Sequence, residues 1–196
     1  MSQNIFNAAQ FHMSVDAPQK LDDAQAEVAF VGRSNVGKSS LLNALCGHRQ
    51  LARVSKTPGK TRSINVFKVR HGKWIVDLPG YGFAVVPIKE KNSWQNMIAY
   101  YISGRPSLKA VFVLVDAYVG VTNLDREMLI WLNSIGMTCY VVANKIDRIA
   151  QPKLTAQREA MALSLETVPE QIIWVSAKKC TGITELRAVV AGLLVL

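Results

Sequence analysis

The eight residues Gly32-Arg33-Ser34-Asn35-Val36-Gly37-Lys38-Ser39 restrict the fold more than any other part of this 196-residue chain. They fit the spacing G-x-x-x-x-G-K-[ST], in which glycines let the backbone wrap so that successive N–H groups face a phosphate. That loop requires a strand to enter it and a helix to leave it. The chain supplies both: residues 28–31 are a β-branched and apolar run ending at Gly32, and residues 38–45 continue with helix formers at helical apolar spacing.

The rest of the chain alternates in the same way. After a Pro/Gly-marked loop at 57–59, residues 64–69 and 74–76 read as strands joined by a tight turn at His71-Gly72, a hairpin that supplies one antiparallel strand. Residues 110–115 and 138–143 are the near-continuous apolar runs expected of central parallel strands. Helical periodicity marks 125–134, 154–165 and 184–194, with a further strand at 172–175. The pattern predicts an α/β fold: a mostly parallel twisted sheet with one antiparallel strand, helices on both faces, and ligands beyond the carboxyl ends of the strands. Residues 1–26 form a short lead-in that packs Phe6 and Phe11, ahead of a single domain at 27–196.

Charge narrows the partners. The formal charge is +9, from 23 Lys and Arg against 14 Asp and Glu, and no acidic residue falls between Glu27 and Asp77. Arg33, Lys38, Arg49, Arg53, Lys56, Lys60, Arg62, Lys68, Arg70 and Lys73 all fall there, so one side of the molecule is expected to be basic and to meet a polyanion. Cys46, Cys139 and Cys180 are odd in number and far apart, which argues against disulfides and zinc. No apolar run approaches the ~20 residues of a membrane span, and the N-terminus lacks the pattern of an export signal, so a cytoplasmic protein is expected. The apolar run at 189–196 is expected to be the last sheet-covering helix.

Within the phosphate loop Lys38 can reach the β and γ groups, while Ser39 can offer its hydroxyl to Mg²⁺ and Ser40 continues the helix N-terminus. Asp77-Leu78-Pro79-Gly80 follows the hairpin in the form D-x-x-G, where the carboxylate can hold Mg²⁺ through water and the Gly80 N–H can meet a γ-phosphate. Asn144-Lys145-Ile146-Asp147 follows a central strand, and the Asp147 carboxylate can accept both N1–H and the exocyclic amino group of guanine, donors that adenine lacks there. Val175-Ser176-Ala177-Lys178 leaves the last strand as a loop able to give a backbone N–H to guanine O6. A threonine between the phosphate loop and Asp77 is expected to complete the Mg²⁺ shell. Thr61 in the segment Gly59-Lys60-Thr61-Arg62-Ser63 is preferred to Thr57, which precedes a proline that restricts it. Lys38, Thr61 and Gly80 are thus the catalytic candidates, and Ser39, Thr61 and Asp77 the metal ligands.

Taken together, Gly32 to Ser40, the string Ser55-Lys56-Thr57-Pro58-Gly59-Lys60-Thr61, and Asp77-Leu78-Pro79-Gly80-Tyr81-Gly82-Phe83-Ala84 resemble the EngB-type ribosome-biogenesis GTP-binding proteins of bacteria, among the translation-factor-related P-loop GTPases. The resemblance covers nearly the whole chain. It implies a Ras-like G domain, a role in large (50S) ribosomal subunit assembly, a need in cell division and septation, and Thr61 as the magnesium ligand. Asn144-Lys145-Ile146-Asp147 departs from the family's commoner T-K-x-D, and Ser176-Ala177 from its Ser-Ser, yet both forms read guanine.

Hydrolysis raises a separate question. The glutamine that orients water in familiar switch GTPases is replaced by Tyr81, which has no carboxamide, so slow intrinsic turnover is expected, with help from a partner or a potassium ion at Asn35. The basic segment at 49–73 overlaps the loop around Thr61 and is expected to touch ribosomal RNA when GTP orders that loop. A monomer is expected. The competing readings are a P-loop kinase or ATPase, and a division-associated scaffold with static nucleotide.

Overall fold

Successive strand residues point to opposite faces of a sheet, so a strand covered by helices on both sides must be apolar nearly throughout. In the computed structural model, which describes residues 5–52, 63–81 and 88–195, two strands meet that demand at the centre of the molecule. Strand β2 (Ala26–Gly32) is buried along its whole length, and β5 (Leu108–Asp116) is buried at every residue but Lys109. Around them lie β1 (Gln10–Val15), β3 (Ile64–Arg70), β4 (Lys73–Asp77), β6 (Cys139–Asn144) and β7 (Ile172–Trp174), in the sheet order β1-β3-β4-β2-β5-β6-β7. β3 pairs antiparallel with both β1 and β4, while the other pairings are parallel, so β3 alone runs against the rest.

The helices are α1 (Lys38–Cys46), α2 (Ile88–Gly104), α3 (Asn123–Ser134), α4 (Leu154–Ser164) and α5 (Ile183–Leu194). On one face Val28 and Phe30 pack with Leu41, Leu42 and Leu45 of α1 and with Leu186 and Val190 of α5. The opposite face sets Ala29 and Val31 against Ile98, Tyr101 and Ile102 of α2 and Leu132 of α3. Met161 and Ala162 of α4 cover Val115, Ala143 and Trp174 towards the far edge. Leu41, Leu42 and Leu45 are wholly buried, so truncating any one to alanine is expected to cost about 2–5 kcal/mol. The apolar run near the C-terminus becomes α5, whose Leu186, Val190 and Leu194 are buried; among the described residues no helix is long and apolar enough to cross a membrane.

Two elements go beyond the sequence reading. Residues 10–15 of the lead-in are a strand of the sheet, registered Gln10↔Lys68 through Val15↔Ile64 against β3. Phe6 is buried in the α1/α5 core as expected, whereas Phe11 stays 54% exposed, its ring edge-on to Phe67 at 6.1 Å. Helix α2 is the other addition. One buried charge in the centre is satisfied locally: Glu27 accepts from Arg105 Nε at 2.7 Å and from Ser107 Oγ at 2.7 Å.

Candidate functional site

The sequence motifs gather at one end of the sheet because each follows a parallel strand: the phosphate loop follows β2, Asp77 closes β4, Asn144 closes β6, and Val175 and Ser176 follow β7. Gly59, Lys60, Thr61 and Arg62, with Thr57, lie outside the described residues; Ser63 stands half-buried just before β3.

The phosphate loop is shaped by two close approaches. A methyl group on Gly32 would lie 2.9 Å from Leu114 Cβ, so β2 can leave the sheet beside β5 only without a side chain. Gly37 adopts φ +99°, and a methyl there would sit 2.5 Å from Asn144 Nδ2. Leu41 N–H is the first in α1 to reach a helical acceptor, Gly37 O at 2.9 Å, so the N–H groups of Lys38, Ser39 and Ser40 have none within the helix. Together with the helix dipole they favour an anion in the loop.

Lys38 is buried, and its ammonium donates to Asp77 Oδ1. Burial raises the Asp77 carboxyl above its ordinary range, and the Lys38 charge and hydrogen bond pull it partly back. A buried pair of this kind is stable only while both partners remain. Ser39 follows Lys38 in the first turn of α1, so a hydroxyl and the Asp77 carboxylate are the oxygen donors that the phosphate loop and the end of β4 supply. Hard oxygen donors, few in number and next to an anion loop, suit Mg²⁺ held jointly with phosphate.

At the other side Asn144 acts as a cross-brace. Its Nδ2 donates to Val36 O at 3.0 Å while its Oδ1 accepts from Ala177 N at 3.1 Å, so one buried amide ties the phosphate loop to the loop after β7. Within the loop expected to read guanine O6, the Ala177 N–H is thus taken by this brace. Lys145, at φ +70°, donates to Asn35 O at 2.6 Å and to Asp116 Oδ2 at 2.7 Å. Asp147 is exposed, and its Oδ1 accepts from Ser176 Oγ at 2.6 Å, which fixes the carboxylate at the mouth of β6. Ile146 N–H bonds Val175 O at 3.3 Å, and Lys178 is exposed at the rim. An immobilised acceptor of this kind can take two parallel N–H groups from a purine edge.

Sequence reasoning missed two participants, Asp116 and Asp125, and gave Tyr81 and Arg33 no side-chain partner. Asp116, paired in register with Asn144, holds Lys145 and accepts the Tyr118 N–H at 3.0 Å. Its signal was a lone carboxylate closing an apolar strand. Tyr81 donates its phenol hydroxyl to Asp125 Oδ1 at 2.8 Å. Arg33 Nε lies 3.5 Å from Asp125 Oδ2. The capping sequence Thr122-x-x-Asp125 at the start of α3 could have drawn attention to that carboxylate.

Residues 27–145 match the family described as 50S ribosome-binding GTPase. The chain is 41% identical over 197 residues to the "Probable GTP-binding protein EngB" of Azoarcus sp. (strain BH72), covering 97% of this chain and 93% of that one. It is 44% identical over 158 residues to the protein of the same name from Halothermothrix orenii, covering 80% and 79%. A crystal structure of a probable GTP-binding protein engB superposes with a TM-score of 0.71 at 26% identity, over 86% of this chain and 98% of that one.

Proposed function

Since the chain belongs to the EngB family of GTP-binding proteins, we propose that its GTP hydrolysis serves assembly of the large ribosomal subunit. The protein binds GTP and hydrolyses it, with Mg²⁺ accompanying the nucleotide as in GTPases generally. That membership sets aside the P-loop kinase and ATPase readings.

The observation that carries the assignment of the site is the Asn144 brace. By bonding Val36 O and Ala177 N at once, it sets the phosphate loop and the base-reading loops at a fixed separation, as one nucleotide requires. On this reading the loop from Gly32 to Ser40 wraps the phosphates, Lys38 leaves Asp77 for the β and γ groups, and Gly80 N–H meets the γ-phosphate. Ser39, Asp77 and Thr61 would hold Mg²⁺, which neutralises charge on the phosphates when bound. Asp147 accepts N1–H and the amino group of guanine, and a backbone N–H of the loop from Val175 to Lys178 serves O6. Gly59, Lys60, Thr61, Arg62 and Ser63 are the further residues assigned to binding the triphosphate.

Asn35 has its backbone carbonyl taken by Lys145, which leaves an exposed side-chain amide beside the phosphates; this supports a potassium ion there. With Tyr81 engaged by Asp125, no side chain at that position orients water, in keeping with slow intrinsic turnover. The excess of Lys and Arg between Glu27 and Asp77 supports contact with ribosomal RNA. On the same reading the protein acts as a cytoplasmic monomer needed for normal cell division and septation. Pelleting with purified large subunits tests the proposal. Co-sedimentation should depend on GTP over GDP and weaken with salt; equal pelleting in all nucleotide states would refute the coupling.

A further inference from the structure

The residue after D-x-x-G is held at both its backbone and its side chain. Tyr81 N–H donates to Gly32 O at 3.2 Å, and Tyr81 O accepts from Ser34 N at 3.2 Å, so its backbone extends the β4–β2 pairing onto the rim of the phosphate loop. Its side chain is buried, and the hydroxyl reaches Asp125 Oδ1 at 2.8 Å. Burial, followed by the Asp125 charge, pushes the phenol far above its ordinary range, so it remains a donor at any working pH. Asp125 is wholly buried and is itself fixed, because its Oδ2 accepts from Thr122 N at 2.9 Å and from Thr122 Oγ1 at 2.7 Å. Among the described residues Arg33 brings a positive charge to Asp125 at 3.5 Å, although its buried Nε completes no hydrogen bond there.

This arrangement bears directly on Gly80. A methyl on Gly80 would lie 3.1 Å from Ser34 Oγ, 3.2 Å from Gly32 O and 3.3 Å from Ser34 N, so the glycine already rests against the phosphate loop. Its position is fixed on the preceding side by Leu78 N–H on Phe30 O at 3.0 Å and on the following side by Tyr81.

We infer that Tyr81 and Asp125, with Arg33 alongside, are positioning residues that anchor Gly80 against the phosphate loop in register for a γ-phosphate. The position that supplies a water-orienting carboxamide in other GTPases is thus used here as an anchor to α3. The inference rests on Gly80 being the γ-phosphate donor. It separates the two nucleotides, because GDP makes no contact through Gly80.

The test compares affinities for GDP and for a non-hydrolysable GTP analogue in the wild type, Tyr81→Phe, Asp125→Ala, their double mutant, and Gly80→Ala. Tyr81→Phe removes one hydrogen bond to a buried charge and should weaken the GTP analogue about tenfold while leaving GDP within about twofold. The double mutant should show no greater loss of the GTP/GDP ratio than Asp125→Ala alone, since both substitutions remove the same bond. Equal weakening of both nucleotides by Tyr81→Phe, or an unchanged ratio while Gly80→Ala lowers it, would overturn the anchor. An unchanged ratio in Gly80→Ala would instead overturn the role of Gly80 on which the inference stands.

Discussion

The two ends of the proposed nucleotide site are held by different physics. At the base end the partners are already committed to fixed places: Asn144 braces two loops through an amide, Ser176 holds Asp147, and Lys145 is pinned between Asn35 O and Asp116. At the phosphate end the main contact is the Lys38–Asp77 ion pair, buried and internal, which must give way if Lys38 is to reach phosphate. On the proposed assignment of the site, recognition of the base is pre-organised, whereas triphosphate binding exchanges one charge pair for another. The exchange is favourable only because both charges find new partners at once.

The largest expected effect breaks the base end. Asp147→Asn puts an amide donor where guanine needs an acceptor, so GTP affinity should fall by about 10⁴-fold, while a purine carrying a carbonyl at C2 should gain. Competition binding with xanthine nucleotides reads the reversal. A smaller effect is expected at the phosphate end, measured without nucleotide. Lys38→Ala strands the buried Asp77 carboxyl and should cost about 3 kcal/mol in urea unfolding, partly relieved by protonation of Asp77. Asn144→Ala removes two buried hydrogen bonds and should cost about 2 kcal/mol, with the loss of GDP affinity matching that of GTP because the brace precedes any γ-phosphate contact. The mildest test needs no substitution. Burial pushes the Cys46 thiol up to about 12 and raises that of Cys139, whereas Cys180 is exposed, so alkylation at neutral pH should modify Cys180 first and leave Cys46 untouched in the folded protein.

Much of this was legible in the residues, for a definable reason. The central strands must be apolar at nearly every position, and the phosphate loop and Asn144 to Asp147 are short local strings whose chemistry is complete within a few residues. Strand β1 was not legible. Its residues Gln10 to Val15 are mostly exposed, and their strand character comes from pairing with β3, which lies far along the sequence, Gln10 opposite Lys68 and Val15 opposite Ile64. The anchor between Tyr81 and Asp125 was hidden likewise, since 44 residues separate a tyrosine and an aspartate that only the fold brings together. The roles of Asp116 and Asn144 as braces also depend on neighbouring strands ending level with one another, which no single segment encodes.

The most direct test of the account is displacement of labelled GDP from the purified protein in the presence of Mg²⁺. GTP and unlabelled GDP should displace it completely, while a hundredfold excess of ATP or ADP should leave it bound. Displacement by adenine nucleotides at concentrations comparable to GTP would contradict the claim that Asp147, held by Ser176 at the mouth of β6, reads guanine.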